Sequence, residues 1–303
     1  MPSALPRASG VQVGWIRDNL HLNHGPIDLL LHAQGDADKV ELAYDKAIRR
    51  FDTLLTELVD ELPLLRRELP RGETPTADSP QGEVAGRMFA ACQPFRSARL
   101  SPMAAVAGAV ADHMLEVLNQ TPGLRRAWVN NGGDIAFSLA PGTGFVCGLI
   151  ADIRRAGVQG DLHVCEADPV RGIATSGRAT QAQGGRSFSL GIADAVTVLA
   201  TTAATADAAA TLIANRVDLP EHPGINRRAA VELDPDSDLG SRAVTLSVPA
   251  LTDNECRQAL ERGAEFARGL QSRGQIHFAV LFLQNVFIIV GNDSCLKRRL
   301  EVV

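Results

Sequence analysis

AWVNNGGDIAFSLAPGTGFVCGLIA, residues 127–151, places three apolar runs (127–131, 134–139 and 145–151) in immediate succession, separated only by segments rich in Gly, Asn and Pro. The runs read as alternating strand-like pieces punctuated by turn-forming residues. Further strand-like pieces follow at 171–175 and 194–200. Sheets and helices thus succeed one another without strict βα alternation, which favours an α+β fold over a doubly wound one.

Upstream, residues 11–34 read as two apolar runs paired around the turn-like segment Asp18 to Pro26. From Asp36 an amphipathic helix is expected, with Tyr44, Ile48, Phe51, Leu55, Leu58 and Leu62 at three- or four-residue spacing, and Pro63 kinks or restarts it. Residues 70–83 are poor in apolar groups and read as an exposed loop. Ser101-Pro102 reads as an N-cap and first-turn proline ahead of MAAVAGAVADHMLEVL, whose small residues permit close packing.

Downstream, an alanine-rich helix is expected from about Thr202 to Asn215, and a polar connection over 218–242. A strand, a helix over 252–273 and two buried strands turning at Gln284-Asn285 complete the reading. The whole chain, 1–303, reads as one domain, with two intertwined subdomains left open by the similar small-residue helices near 103–111 and 203–214.

Composition excludes several classes. The 303 residues are 45% hydrophobic with 30 basic and 35 acidic side chains interspersed, so counterion release has no basic face to act on and nucleic acid is not an expected partner. Five cysteines without a CxxC pair fit a reducing cytoplasm better than a disulfide framework or zinc ribbon. The run from Ile276 to Val290 carries His277, Gln284 and Asn285 and is shorter than the about 20 residues a membrane span needs, so no membrane is expected. No signal-peptide pattern opens MPSALPRASG.

Four segments carry candidate chemistry. In Asn130-Asn131-Gly132-Gly133-Asp134 the glycines allow close backbone approach to a ligand and Asn and Asp offer hydrogen bonds, but a type I′ hairpin turn favours the same residues. Gly172-Ile173-Ala174-Thr175-Ser176-Gly177-Arg178 ends an apolar strand in two hydroxyls, a glycine and a fixed cation, a combination suited to phosphate as well as to an ordinary loop. Gly184-Gly185-Arg186-Ser187 adds a second cationic piece. Asp207 and Thr211 lie four apart on one helical face among methyl groups, where their oxygens suit Mg²⁺ better than zinc; the alternative is a helix cap and a back-bonded threonine. Asp194 opens an apolar strand. Near-matches to a P-loop (269–275) and an EF-hand (234–245) fail at Gln275, Leu239 and Thr245.

VNNGGDIA (129–136), IATSGR (173–178) and ADAVTVLATTAATADAAATLIAN (193–215), in that order, resemble the ApbE superfamily of flavin transferases, and more closely a bacterial and archaeal branch of it. HGPIDLLLHA, ELPLLR and SPMAAVAGAVAD extend the likeness over most of the chain. The resemblance implies two related α/β subdomains with mixed or antiparallel sheets packed by helices. It implies FAD or FMN as ligand at Asn131, Gly132, Gly133, Asp134, Thr175, Ser176 and Gly177, and Mg²⁺ at Asp207 and Thr211.

The implied chemistry is cleavage or transfer at a diphosphate, with a flavin-acceptor protein as partner and Arg178 and Asp194 as candidate catalytic groups. Two departures bear on it. Arg178 stands where the transferases usually carry an acidic or amide residue, and SFSLGIADAVTV lacks the His-rich HIIDP-like segment that would activate an acceptor hydroxyl. Binding of a dinucleotide or another anion is less affected by these changes than protein flavinylation. A hydrolase acting on another small heterocycle, or a non-catalytic flavin or nucleotide carrier, are the alternatives. A homodimer stays open, since small-residue helices suit a core or a subunit interface equally well.

Overall fold

The structure, a computed structural model, describes residues 10–70, 79–149, 160–178 and 188–291. The chain divides into two compact units, each drawn from several segments of the sequence. The first takes residues 1–145, 165–173 and 202–205, and the second takes 146–164, 174–201 and 206–303.

The first unit begins with β1 (Gln12–Ile16), β2 (Asn19–His24) and β3 (Ile27–Gln34), an antiparallel meander. Residues 18–26 are therefore mostly a strand of their own, not the expected single turn. Leu20 and Leu22 alternate into the core, and the reversals shrink to Arg17-Asp18 and Gly25-Pro26, with Arg17 and Gly25 at positive φ. The amphipathic helix α1 (Ala37–Asp60) buries Ala43, Tyr44, Ala47, Phe51, Leu54 and Leu58, so alanines share a face expected to be aliphatic and aromatic. It stops before Pro63, and the short α2 (Leu62–Leu65) restarts there.

Helix α3 (Glu83–Cys92) takes up the end of the expected loop; residues 71–78 of that loop lie outside the described residues. Pro102–Ala105 form a 3₁₀ turn ahead of α4 (Val106–Asn119). Ser101 has the extended backbone of an N-cap, yet its side chain makes no capping hydrogen bond. Strands β4 (Arg126–Asn131) and β5 (Asp134–Leu139) complete the meander in the order β1-β2-β3-β4-β5. Helix α4 packs against both. Ala127 and Val129 join Leu29 and Leu31 among its fully buried residues, the period-2 signature of a sheet face under helices.

β6 (Gly144–Leu149) and β7 (Gly160–Cys165) form a two-stranded ribbon. Strand β8 (Gly172–Ser176) passes from one unit to the next: Gly172 and Ile173 pair with Ala136 and Ile135 in the first, and its last three residues belong to the second. There the order runs β8, β9 (Ala195–Ala200), β12 (Phe278–Leu283), β13 (Val286–Gly291). Every residue of β9 and β12 is buried, as expected for strands covered on both faces. β12 and β13 turn at Gln284-Asn285, as the apolar pattern requires.

Helix α5 (Ala203–Arg216) is the expected alanine-rich segment. The connection over 218–242 is less irregular than expected. It holds β10 (Asn226–Ala229), paired with β11 (Ala243–Ser247), and the short helix α6 (Ala230–Leu233). Helix α7 (Asp253–Ser272) opens on a complete capping box between Thr252 and Glu255 and packs on β12 and β13. Among the described residues no helix is long and apolar enough to cross a membrane.

Candidate functional site

The Asn-Asn-Gly-Gly-Asp segment is the two-residue hairpin turn between β4 and β5, with Asn131 opposite Asp134. Gly132 and Gly133 sit at φ +63° and +112°, the left-handed backbone a type I′ turn requires, and Gly133 N–H donates to Asn130 Oδ1 at 2.8 Å. The turn alone accounts for both glycines. Space for a ligand is present as well, because a Cβ on either glycine would meet nothing within 4 Å. Asn131 and Asp134 are 8% and 7% exposed, and Asn131 Nδ2 donates to Ala107 O at the start of α4. All four residues assigned here belong to the first unit.

The other seven site residues belong to the second unit. Thr175 and Ser176 leave the end of β8 with their hydroxyls in two directions. Thr175 Oγ1 lies 2.8 Å from Thr197 Oγ1 on β9, and Ser176 Oγ lies 3.5 Å from Thr211 Oγ1 on α5. Gly177 follows at φ +135°, where a Cβ would stand 2.6 Å from Asp194 O. Only glycine allows the chain to pass so close to Asp194.

Arg178 donates its backbone N–H to Ala193 O at 3.0 Å, and its guanidinium Nη1 lies 3.8 Å from Asp194 Oδ1. Asp194 is also occupied from the other side, since its Oδ2 accepts the N–H of Gln284 at 2.6 Å. Gln284 sits at φ +52° in the β12–β13 turn, so the carboxylate satisfies an N–H that the turn points away from the ladder. Thr175, Ser176, Gly177, Arg178, Asp194 and Thr211 are therefore linked by direct contacts within one unit. The Gly184-to-Ser187 piece lies outside the described residues.

Asp207 and Thr211 occupy half-buried positions on α5, with Ala206, Ala208, Ala209 and Ala210 buried around them. The helix's opening N–H groups have other acceptors. Ala203 N and Ala204 N donate to Asp112 at 3.0 and 2.8 Å, and Thr205 N donates to Thr202 Oγ1 at 3.1 Å. Capping is thus done by Asp112 and Thr202, one turn before Asp207. Among the described residues no cluster of three His, Cys, Asp or Glu side chains could hold a metal ion. With only two protein oxygens, a Mg²⁺ ion at Asp207 and Thr211 would take the rest of its shell from water and phosphate.

Three partners escaped the sequence reading: Thr197, Gln284 and Asp112. Thr197 is a single polar residue in the apolar run AVTVLA, whereas Gln284 sits beside Asn285 in a turn and Asp112 beside His113 in a helix, so only Thr197 carries a local signal.

The architecture is a mixed α+β chain whose sheets are antiparallel wherever their register is defined, with hydroxyl- and acid-bearing positions at the end of β8, the start of β9 and on α5. The chain belongs to the family described as AbpE bacteria, whose model matches residues 13–294. It is 32% identical over 210 residues to a UPF0280 protein of Methanothrix thermoacetophila, covering 67% of this chain and 78% of that protein. To a UPF0280 protein of Methanocella arvoryzae it is 36% identical over 156 residues, 51% of this chain and 58% of the relative. The chain spans about half the length of most curated relatives it matches. Among solved structures, the apo flavinyl transferase ApbE of Pseudomonas stutzeri aligns over 94% of this chain and 95% of its own with TM-score 0.46 and 13% identity.

Proposed function

We propose that the protein binds FAD or a related phosphorylated ligand and, with Mg²⁺, cleaves or transfers at the diphosphate. The observation that carries this reading is the approach of Ser176 to Thr211, 3.5 Å apart, on the helix face that also bears Asp207. Two of the family-like motifs therefore meet at their chemically informative residues. Asp207 and Thr211 would hold Mg²⁺, which supplies neutralisation of diphosphate charge as a P–O bond breaks.

Thr175, Ser176 and the backbone at Gly177 are the donors for phosphate oxygens, and Arg178 adds a fixed positive charge beside them. In the first unit, the hairpin at Gly132-Gly133, flanked by Asn131 and Asp134, carries the remaining residues that the family likeness implies for ligand contact, and no atom crowds its glycines. Asp194 orients Arg178 and holds the β12–β13 turn. In the catalytic role it would accept the proton of an attacking hydroxyl or water. A flavin-acceptor protein is the partner in the transfer reaction, and water replaces it in hydrolysis.

The engagement of Asp194 Oδ2 with the Gln284 N–H favours one second reading, a flavin or nucleotide carrier without turnover. Incubation of the purified protein with FAD and Mg²⁺, followed by chromatography, separates the two. Release of AMP and FMN, lost in Asp207→Ala, supports the enzyme; tight FAD retention without products supports the carrier. Absence of FAD binding with or without metal contradicts both.

A further inference from the structure

The two-residue turn between β12 and β13 is clamped by a side chain that the proposed reaction leaves unused. Gln284, its first residue, sits at φ +52°, a backbone region that disfavours a side chain and suits glycine or asparagine. Such a conformation persists where its surroundings over-determine it. Here Gln284 Nε2 donates to Pro249 O at 2.7 Å, and its Oε1 accepts from the Leu251 N–H at 3.1 Å. The orientation of the amide is therefore fixed, because a carbonyl only accepts and a backbone N–H only donates.

The clamped stretch is itself anchored. Thr252, next in the chain, donates its N–H to Glu255 at 2.8 Å and accepts the Glu255 N–H at 3.3 Å, which ties 249–251 to the start of α7.

On its other side the turn grips Asp194. The Gln284 N–H donates to Asp194 Oδ2 at 2.6 Å, and the Asp194 N–H donates to Phe282 O at 2.9 Å, so one hairpin holds both the backbone and the carboxylate of Asp194. With Oδ2 held there, Oδ1 lies 3.8 Å from Arg178 Nη1, and the Asp194 side chain remains 21% exposed. Every residue of this network belongs to the second unit.

We infer that Gln284 is a positioning residue for Asp194. Its side chain pins the turn to 249–251, and its N–H fixes the carboxylate in the orientation that faces Arg178. The inference deepens the role proposed for Asp194 and rests on that reading for its effect on turnover, whereas the positioning itself is measured without ligand.

Gln284→Gly separates the clamp from the backbone, because glycine suits φ +52° and keeps the N–H while removing both side-chain bonds. The full chain, labelled with ¹³C at aspartate carboxyls and ¹⁵N at amides, is first observed by NMR without ligand, the Asp194 carboxyl resonance being identified by its loss in Asp194→Asn. In Gln284→Gly that resonance is expected to move and the amide at position 284 to exchange at least about tenfold faster, while the Asp194 N–H, bonded to Phe282 O, stays protected. Gln284→Asn, which tolerates the same backbone but is one methylene short of the clamp, is expected to give the same two changes.

With FAD and Mg²⁺, kcat for AMP release is expected to fall at least about tenfold in Gln284→Gly with KM unchanged. In the Asp194→Asn background the same substitution should change kcat less than about twofold, because no carboxylate remains to be positioned. An unmoved Asp194 resonance with unchanged exchange in both variants overturns the inference, and so does a kcat loss of the same size in the Asp194→Asn background. A wild type that releases no AMP contradicts the flavin reading instead, and the ligand-free resonance and exchange then decide the positioning by themselves.

Discussion

Asp112 on α4 closes the N-terminus of α5: its two carboxylate oxygens accept the N–H groups of Ala203 at 3.0 Å and Ala204 at 2.8 Å. A helix leaves its first N–H groups without partners inside the helix, and here the acceptor is remote in sequence. Burial pushes the Asp112 carboxyl pKa up, against the opposing pull of those two N–H groups and of Arg87.

Asp112→Ala is therefore expected to lower stability by about 1–2 kcal/mol, the usual cost of deleting a cap. Asp112→Asn, which keeps one acceptor and needs no buried charge, should recover part of that loss. Urea midpoints of the three proteins at one pH check the order.

Glycines at two kinds of position should respond differently to alanine. A Cβ on Gly172 would stand 2.1 Å from Ala203 N, and one on Gly108 would stand 2.3 Å from Ala203 O, so the opening of α5 is crowded by backbone on both sides. Gly108→Ala and Gly172→Ala force backbone to move, and a loss of about 3 kcal/mol is expected for each. Gly133→Ala meets no atom and pays only for its φ of +112°, about 1–2 kcal/mol. Thermal unfolding of the three variants separates crowding from backbone strain, and equal losses would contradict the distinction.

His113 sets a pH dependence of known sign. Burial, followed by the positive charge of Arg50 and a smaller contribution from Arg87, holds its pKa below the ordinary 6.5, while Glu83 and Glu116 oppose the shift. The unfolded chain therefore takes up a proton before the folded one does. Stability should be independent of this group above pH 6.5 and fall as the pH is lowered below it, by at most about 1.4 kcal/mol per pH unit until the folded pKa is reached. His113→Gln should flatten this slope in urea titrations at pH 7.5, 6 and 5, whatever its effect at neutral pH; an unchanged slope would assign the titration elsewhere.

Local pattern carried most of the fold. Alternation and turn residues placed β4, β5, β12 and β13 within a residue or so, because Gly132-Gly133 and Gln284-Asn285 punctuate apolar runs that have no other way to reverse. β2 was misjudged because Asn19, His21, Asn23 and His24 read as a polar turn, and only the register to Leu29 and Leu31 shows that Leu20 and Leu22 face the core. α3 was missed behind a proline-rich approach. In the candidate site the individual residues were legible, but their partners were not. Nothing local announces that Thr211 meets Ser176, that Asp194 meets Gln284, or that Asp112 serves a helix far downstream.

The central claim is most directly tested by calorimetric titration of FAD into the protein with and without Mg²⁺, in parallel for wild type and Asp207→Ala. The account predicts FAD binding that tightens by at least about tenfold with Mg²⁺ in the wild type and loses that gain in Asp207→Ala, an alanine-compatible position within α5. FAD affinity unchanged by Mg²⁺, or a gain from Mg²⁺ that survives the loss of Asp207, would contradict it.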